Sequence, residues 1–239
     1  MPLAISFPQA SLAATILAST IGSYIALSPP NPSATSEPST GDSIRRLNLT
    51  NRFTTKITLA PLGLLALHTS ALTYFHPNIP SSILRHGAEN GLNPDLITWS
   101  AATSIPLALI LCAGIPLLLV SYASLGKNFT FTLMEPDRLT TTGIYRYVQH
   151  PSYIRIMVLL VCNAALLIRM DGVLSCWVPP QWYQDLRAVY LALTPVGLVV
   201  LIFEIWTRVS QEEHMLRARF DVEWEIWHAK TARFIPWLL

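Results

Sequence analysis

Five stretches of this 239-residue chain stay apolar long enough to raise the question of a membrane. A helix that crosses the bilayer needs about 20 mostly apolar residues. The first candidate, about Gln9 to Ser28, is uncharged throughout, and the second, about Ile57 to Phe75, is interrupted only by His68. The third, about Trp99 to Leu125, is also uncharged and holds Pro106 and Pro116. Proline is tolerated in a spanning helix where neighbours satisfy the freed carbonyls. The fourth, Tyr153 to Ile168, is short and carries Arg155 near its start, where a long stem can snorkel. The fifth, about Ala188 to Trp206, holds Pro195, Gly197 and, near its end, Glu204. The competing reading, a soluble bundle of buried helices, fits these run lengths less well. The pattern predicts an all-α, polytopic integral membrane protein with about five transmembrane helices.

The polar stretches between the spans orient them. Arg45, Arg46, Arg52 and Lys56 follow the first span; the next loop has only Arg85 against Glu89 and Asp95. Lys127, Arg138 and Arg146 follow the third span, the Arg169 to Arg187 loop is sparse, and the tail from Thr207 is basic again. Basic residues collect on the cytosolic side, which puts the first loop, the third loop and the tail there and the N-terminus opposite. No basic residue precedes the first span, so it reads as a span and not as a signal peptide. The sequons at Asn48 and Asn128 then face the cytosol and stay unglycosylated. The Pro- and Ser-rich stretch from Ser28 to Asp42 reads as a connector. The chain divides into an N-terminal membrane region, 1–98, and a core of three spans plus tail, 99–239.

Composition narrows the function classes. Only 13% of residues are charged, about half the usual share. A net charge of +2 without a basic cluster excludes a nucleic-acid surface. The hydrophobic share, 51%, excludes disorder. Cys112, Cys162 and Cys176 lack the paired spacing of a disulfide framework or a zinc site, so no metal is expected.

Two polar islands then share the cytosolic side. The third loop ends in Leu139-Thr140-Thr141-Thr142-Gly143-Ile144-Tyr145-Arg146-Tyr147-Val148-Gln149-His150-Pro151-Ser152-Tyr153. Pro151 suits the first position of a helix, which sets His150 at its entrance beside unpaired backbone N–H groups. Such an end attracts anions, although a plain helix cap explains a His-Pro equally well. The second island starts within the fifth span: Glu204, Arg208 and Glu212 fall at i, i+4 and i+8, and Glu213 and Arg217 form another i, i+4 pair. A solvated helix with weak ion pairs is the plain reading. Glu204 at membrane depth argues for function.

Together these islands resemble the isoprenylcysteine carboxyl methyltransferase family. The resemblance lies in Leu125-Gly126-Lys127-Asn128-Phe129-Thr130, in Leu139 through Tyr153, in Arg208 followed by Glu212-Glu213 and Leu216, in Phe220 to Trp224, and in Arg233-Phe234-Ile235-Pro236. It covers roughly the C-terminal half. Gln149 stands where the family has Arg, Asp221 where it has Gly, and Trp224 where it has Tyr. The resemblance implies an S-adenosylmethionine-dependent methyltransferase of the endoplasmic reticulum, acting on the carboxylate of a prenylated cysteine. It implies a cytosolic cofactor pocket formed by the loop before the fourth span and the tail. Asp137, Arg138, Leu139, Thr140, Tyr145, His150, Pro151, Ser152, Tyr153 and Glu212 would line it, and Arg208 would face the substrate carboxylate. The partners implied are the lipid bilayer and a prenylated protein or lipophilic carboxylate. Other readings stay open: a small isoprenoid acid or a phospholipid amine as acceptor, an NADPH-dependent membrane reductase, or a scaffold without activity.

Overall fold

The computed structural model describes residues 6–31, 42 and 52–235, and among them it is helical without a β-strand. The arginines at 45 and 46, the sequon at Asn48, most of the Ser28 to Asp42 connector and Pro236 lie outside the described residues. The main helices are α1 (Phe7–Ala26), α2 (Arg52–Phe75), the single turn α3 (Ser81–Leu84), α4 (Ala101–Ala108), α5 (Ile115–Leu125), α6 (Pro151–Leu167) and α7 (Pro180–His228).

Among the described residues three helical stretches, not five, are long and apolar enough to cross a membrane: Thr55–Phe75, Pro94–Asn128 and Pro180–His228. The other two expected spans are helices that fall short. α1 has 20 residues but dilutes its apolar run with Ser and Thr, whose hydroxyls turn back onto the helix carbonyls. Thr15 donates to Ser11 O at 2.7 Å and Thr20 to Ile16 O at 2.9 Å, which lets an uncharged but polar-dotted helix satisfy its own side chains. α6 has only 17 residues. The chain is an integral membrane protein.

The long middle stretch is built around its prolines. Ser100 caps α4: its hydroxyl accepts from Ala102 N–H at 3.0 Å while its own N–H donates to Thr103 Oγ1 at 3.1 Å. This reciprocal pair fixes the helix start. Pro106 and Pro116 then bracket Leu109–Gly114, which winds as a π-helical turn joining α4 to α5. Proline removes an N–H and crowds the preceding turn, and a π-turn absorbs that disruption without ending the helix. Gly114 closes this turn against α6, where a Cβ would come within 2.6 Å of the Leu159 side chain.

The chain gathers into two units. One takes α1 as far as Ile25 together with Leu59–Gly114 and Val158–Gly197. Its core holds Leu72, Ile97, Val173 and Cys176. Asn90 stitches its polar turns by donating to the carbonyls of Ser175 at 2.8 Å and Val178 at 2.7 Å. The other unit takes Ala26, Asp42, Ile115–Met157 and the chain from Leu198 onward. Its core is Leu133, Tyr145, Met215, Leu216, Trp224 and Trp227, with Leu125, Leu139, Ile144 and Phe220 packed on it. Each such fully buried apolar side chain contributes about 1.5–3 kcal/mol, so this cluster anchors the loop between α5 and α6 to α7.

The fifth span and the start of the tail run on as one helix as far as Phe220, and α7 continues beyond a kink at Asp221 to His228. Thr207 to Phe220 contains no Gly or Pro and holds three Arg, two Glu, Gln, Met, Leu and Ala, all good helix formers, so the helix has no reason to stop at the apolar boundary. It breaks at Asp221, whose backbone (φ 41°, ψ −111°) is that of the first central residue of a type II′ turn. Beyond the break Glu225 reaches back to Arg217 at 2.7 Å. A Cβ is costly at such φ, and glycine removes the cost. Asp221→Gly is therefore expected to stabilise the protein by about 1 kcal/mol, read as a Tm rise of about 2–4 °C in detergent. An unchanged or lowered Tm would contradict the strain.

Candidate functional site

The loop before α6 and the last residues described meet through backbone. Val148 and Ala232 form an isolated parallel bridge. Gln149 N–H donates to Ala232 O at 2.8 Å, His150 N–H to Arg233 O at 2.9 Å, and Ala232 N–H to Tyr147 O at 3.1 Å. Trp227 Nε1 adds a bond of 2.8 Å to Tyr145 O. Gln149, buried, works as a suture: its Nε2 donates to Thr231 O and Thr231 Oγ1, both at 2.9 Å, and to His228 O at 3.3 Å. Its Oε1 stands 2.9 Å from His228 Nδ1. A cationic arginine has no acceptor to offer that imidazole, which gives the Gln a structural reason to be here.

The clasp delivers His150 to two carboxylates. His150 is 2% exposed. Its Nε2 lies 3.3 Å from Glu213 Oε1, and its Nδ1 lies 3.5 Å from Glu212 Oε2. Tyr153 donates its hydroxyl to Glu212 Oε2 at 2.8 Å. Arg233 donates to Glu213 Oε2 at 2.8 Å. Burial pushes the His150 pKa down, but the hydrogen bonds and charges of Glu212 and Glu213 outweigh it and lift the imidazole to about 9. The ring is thus a cation at neutral pH, held between two anions. Burial, and next the charge of Glu212, drive the Tyr145 phenol well above its ordinary value. Pro151 is the first residue of α6, as its missing N–H favours.

Arg208 stands on the same face of α7 one turn before Glu212, yet its partner is not on that helix. One terminal nitrogen lies 2.5 Å from Asp42 Oδ1, and the other donates to Phe131 O at 2.7 Å. Asp42 is fully buried, and its second oxygen accepts Leu133 N–H at 2.8 Å. The i, i+4 pairs expected along α7 are replaced by distant partners: Glu213 takes Arg233 and Arg217 takes Glu225. Glu213 is nearly buried where it meets Arg233, which favours that partner over the neighbour one turn away, whereas Arg217 and Glu225 pair in the open across the break.

Of the site residues expected from sequence, the structure brings His150, Tyr153 and Glu212 into direct contact. Tyr145 lies in the aromatic cluster near Glu212, and Leu139 packs on that cluster. Asp137 forms an exposed ion pair with Lys127, which lowers its pKa. Arg138 is exposed, and Thr140 and Ser152 are partly buried. Three participants were not expected in the site: Glu213, Arg233 and Asp42. The Glu-Glu doublet and the terminal Arg motif carried a signal for the first two. An isolated Asp far upstream carried none.

Glu212 offers the array's available acceptor. Its Oε2 serves Tyr153 and His150, and no protein group bonds its Oε1 among the described residues. That partly exposed oxygen accepts the N–H or O–H groups of a ligand. No group of His, Cys, Asp and Glu suited to a metal ion occurs among the described residues.

No curated protein and no solved structure matches the chain. A family model, that of the isoprenylcysteine carboxyl methyltransferase (ICMT) family, matches residues 107–178. The match takes in Tyr145, His150 and Tyr153 and ends before α7, so Arg208, Glu212 and Glu213 complete the array from outside it. Over residues 107–178 the chain is thus similar to the isoprenylcysteine carboxyl methyltransferase family, a family of membrane methyltransferases, and the apolar helices and an array that begins inside the matched stretch agree with that likeness.

Proposed function

We propose that the protein methylates the carboxylate of a prenylated cysteine, using S-adenosylmethionine, at the cytosolic face of the endoplasmic reticulum. The observation that carries the reading is the Glu212 carboxylate, joined to Tyr153 and His150 with one oxygen uncommitted. Such an acceptor suits a cofactor that carries an ammonium and ribose hydroxyls. When bound, S-adenosylmethionine supplies an electrophilic methyl on a sulfonium. Glu212 would hold it, with His150, Tyr153 and Tyr145 alongside and the 137–140 stretch, Pro151 and Ser152 as further lining.

The chain's own work is positioning. A terminal carboxylate has a pKa near ~3.5 and is already an anionic nucleophile at neutral pH, so no general base is needed. Excluding water from that carboxylate and aligning it on the methyl lowers the barrier by orientation. Arg208 is the guanidinium on the same helix, one turn from Glu212, and remains the group proposed to face the acceptor. A prenyl chain would reach the site along the apolar helices from the bilayer.

The test is transfer of a labelled methyl from S-adenosylmethionine to a prenylcysteine analogue, with small lipophilic acids and phosphatidylethanolamine as competing acceptors. Transfer to the prenylcysteine is expected. Glu212→Gln should weaken cofactor binding about 10-fold or more, the loss of a charge-assisted hydrogen bond. Binding of NADPH with none of S-adenosylmethionine would overturn the proposal.

A further inference from the structure

The group proposed to face the acceptor is already holding a carboxylate. Arg208 is 2% exposed, and both its terminal nitrogens are engaged, by Asp42 at 2.5 Å and by Phe131 O at 2.7 Å. Asp42 itself is seated by two donors of different kinds, a guanidinium on one oxygen and the Leu133 N–H on the other. An arginine and a backbone amide arranged about one carboxylate are what a binding site for a ligand carboxylate consists of. The seat is complete, buried and filled from within the chain.

We propose that Asp42 is an internal carboxylate occupying the acceptor's seat, so that an acceptor carboxylate binds at Arg208 by exchange with Asp42. This rests on the carboxyl-methyltransferase reading for the identity of the incoming group. Exchange has a consequence that a vacant arginine lacks. One anion replaces another, so the seat gains no charge compensation from the acceptor's own charge. Two carboxylates cannot share the fork at close range without strong mutual repulsion. Asp42 therefore sets acceptor selectivity: a neutral molecule of the same shape lies beside the intact Arg208–Asp42 pair, whereas an acid must displace Asp42 to reach the guanidinium, so the acid loses the advantage it would otherwise have, and anions with too little apolar contact to drive the exchange are rejected. Prenylated acids meet that requirement through burial of their chain.

The experiment compares binding of a prenylcysteine acid and its carboxamide to the whole protein in detergent. Against wild type the acid is expected to exceed the carboxamide by no more than about 3-fold, far less than a charge-assisted pair with a free guanidinium gives. Asp42→Asn should tighten the acid about 10-fold and leave the carboxamide unchanged, while Asp42→Glu should keep the wild-type ratio. An acid preference of about 100-fold in wild type would overturn the proposal. So would an Asn variant that folds and binds the acid no better, or no binding of either ligand to wild type and variant. If the Asn variant does not fold, the wild-type acid-to-carboxamide ratio decides. A binding pattern as expected without any methyl transfer would reject the reaction and leave the exchange standing.

Discussion

Arg208→Ala should unfold the protein at a temperature on the order of 10 °C below wild type. The reason lies in what is left behind. Asp42 has no exposure to water, and its Oδ1 depends on the Arg208 guanidinium. Breaking a buried pair by removing one member costs about 3–5 kcal/mol, because the survivor loses its guanidinium partner in a site closed to water. The Phe131 carbonyl loses its donor at the same time. Removing both members together, in Arg208→Ala with Asp42→Ala, should recover much of the loss, since neither charge then remains buried. Thermal denaturation of Arg208→Ala, Asp42→Ala and the double variant beside wild type in one detergent reads the cycle. Equal loss in the single and double variants would mean that Arg208 stabilises by packing and not through Asp42. The comparison also warns against reading an inactive Arg208→Ala as lost chemistry before its stability is known.

His150 should impose an alkaline limit. Its pKa rises from an ordinary value of 6.5 to about 9 in the folded chain, where Glu212 and Glu213 favour the cation against the opposing effect of burial. A group whose folded pKa is raised binds its proton more tightly in the folded state. Its contribution is fully present below 6.5, fades as pH rises, and is gone above about 9. A shift of this size is worth about 3 kcal/mol. Above pH 9 a neutral imidazole faces two carboxylates, with Arg233 on Glu213 and Arg208 one turn from Glu212 as the remaining cations. Thermal stability measured across pH 6 to 10 should fall through that window. His150→Gln should start lower and flatten the fall, and an undiminished slope in that variant would assign the limit to another group.

The helices were legible because apolar runs and prolines report directly on burial and on helix phase. Pro151 began a helix as its missing N–H required, and Pro106 with Pro116 marked the π-turn between α4 and α5. Of the five expected spans, three meet both length and hydropathy among the described residues; α1, dotted with serines and threonines, and α6, of 17 residues, are the two that apolar run length counts and mean hydropathy or length does not. At the site, His150, Tyr153 and Glu212 were legible as motif residues. The partners of charge were not, because the i, i+4 rule is local. Glu213 finds Arg233 and Arg208 finds Asp42 by desolvation, which acts across any sequence distance. The strained Asp221 was visible only as a departure from the glycine of the pattern the sequence resembles, and its backbone supplies the physical reason for glycine there.

The clasp between residues 147–150 and 231–233 has a consequence for biosynthesis. His150 receives the Arg233 carbonyl, and Glu213 receives the Arg233 side chain, so the array lacks half its partners until the ribosome has delivered residue 233. By then the apolar helices before α7 can already lie in the bilayer. A nascent chain arrested within α7 would hold those helices and lack the clasp. Quality control that inspects only insertion would pass such a product, and only an assay of the finished site would reveal it.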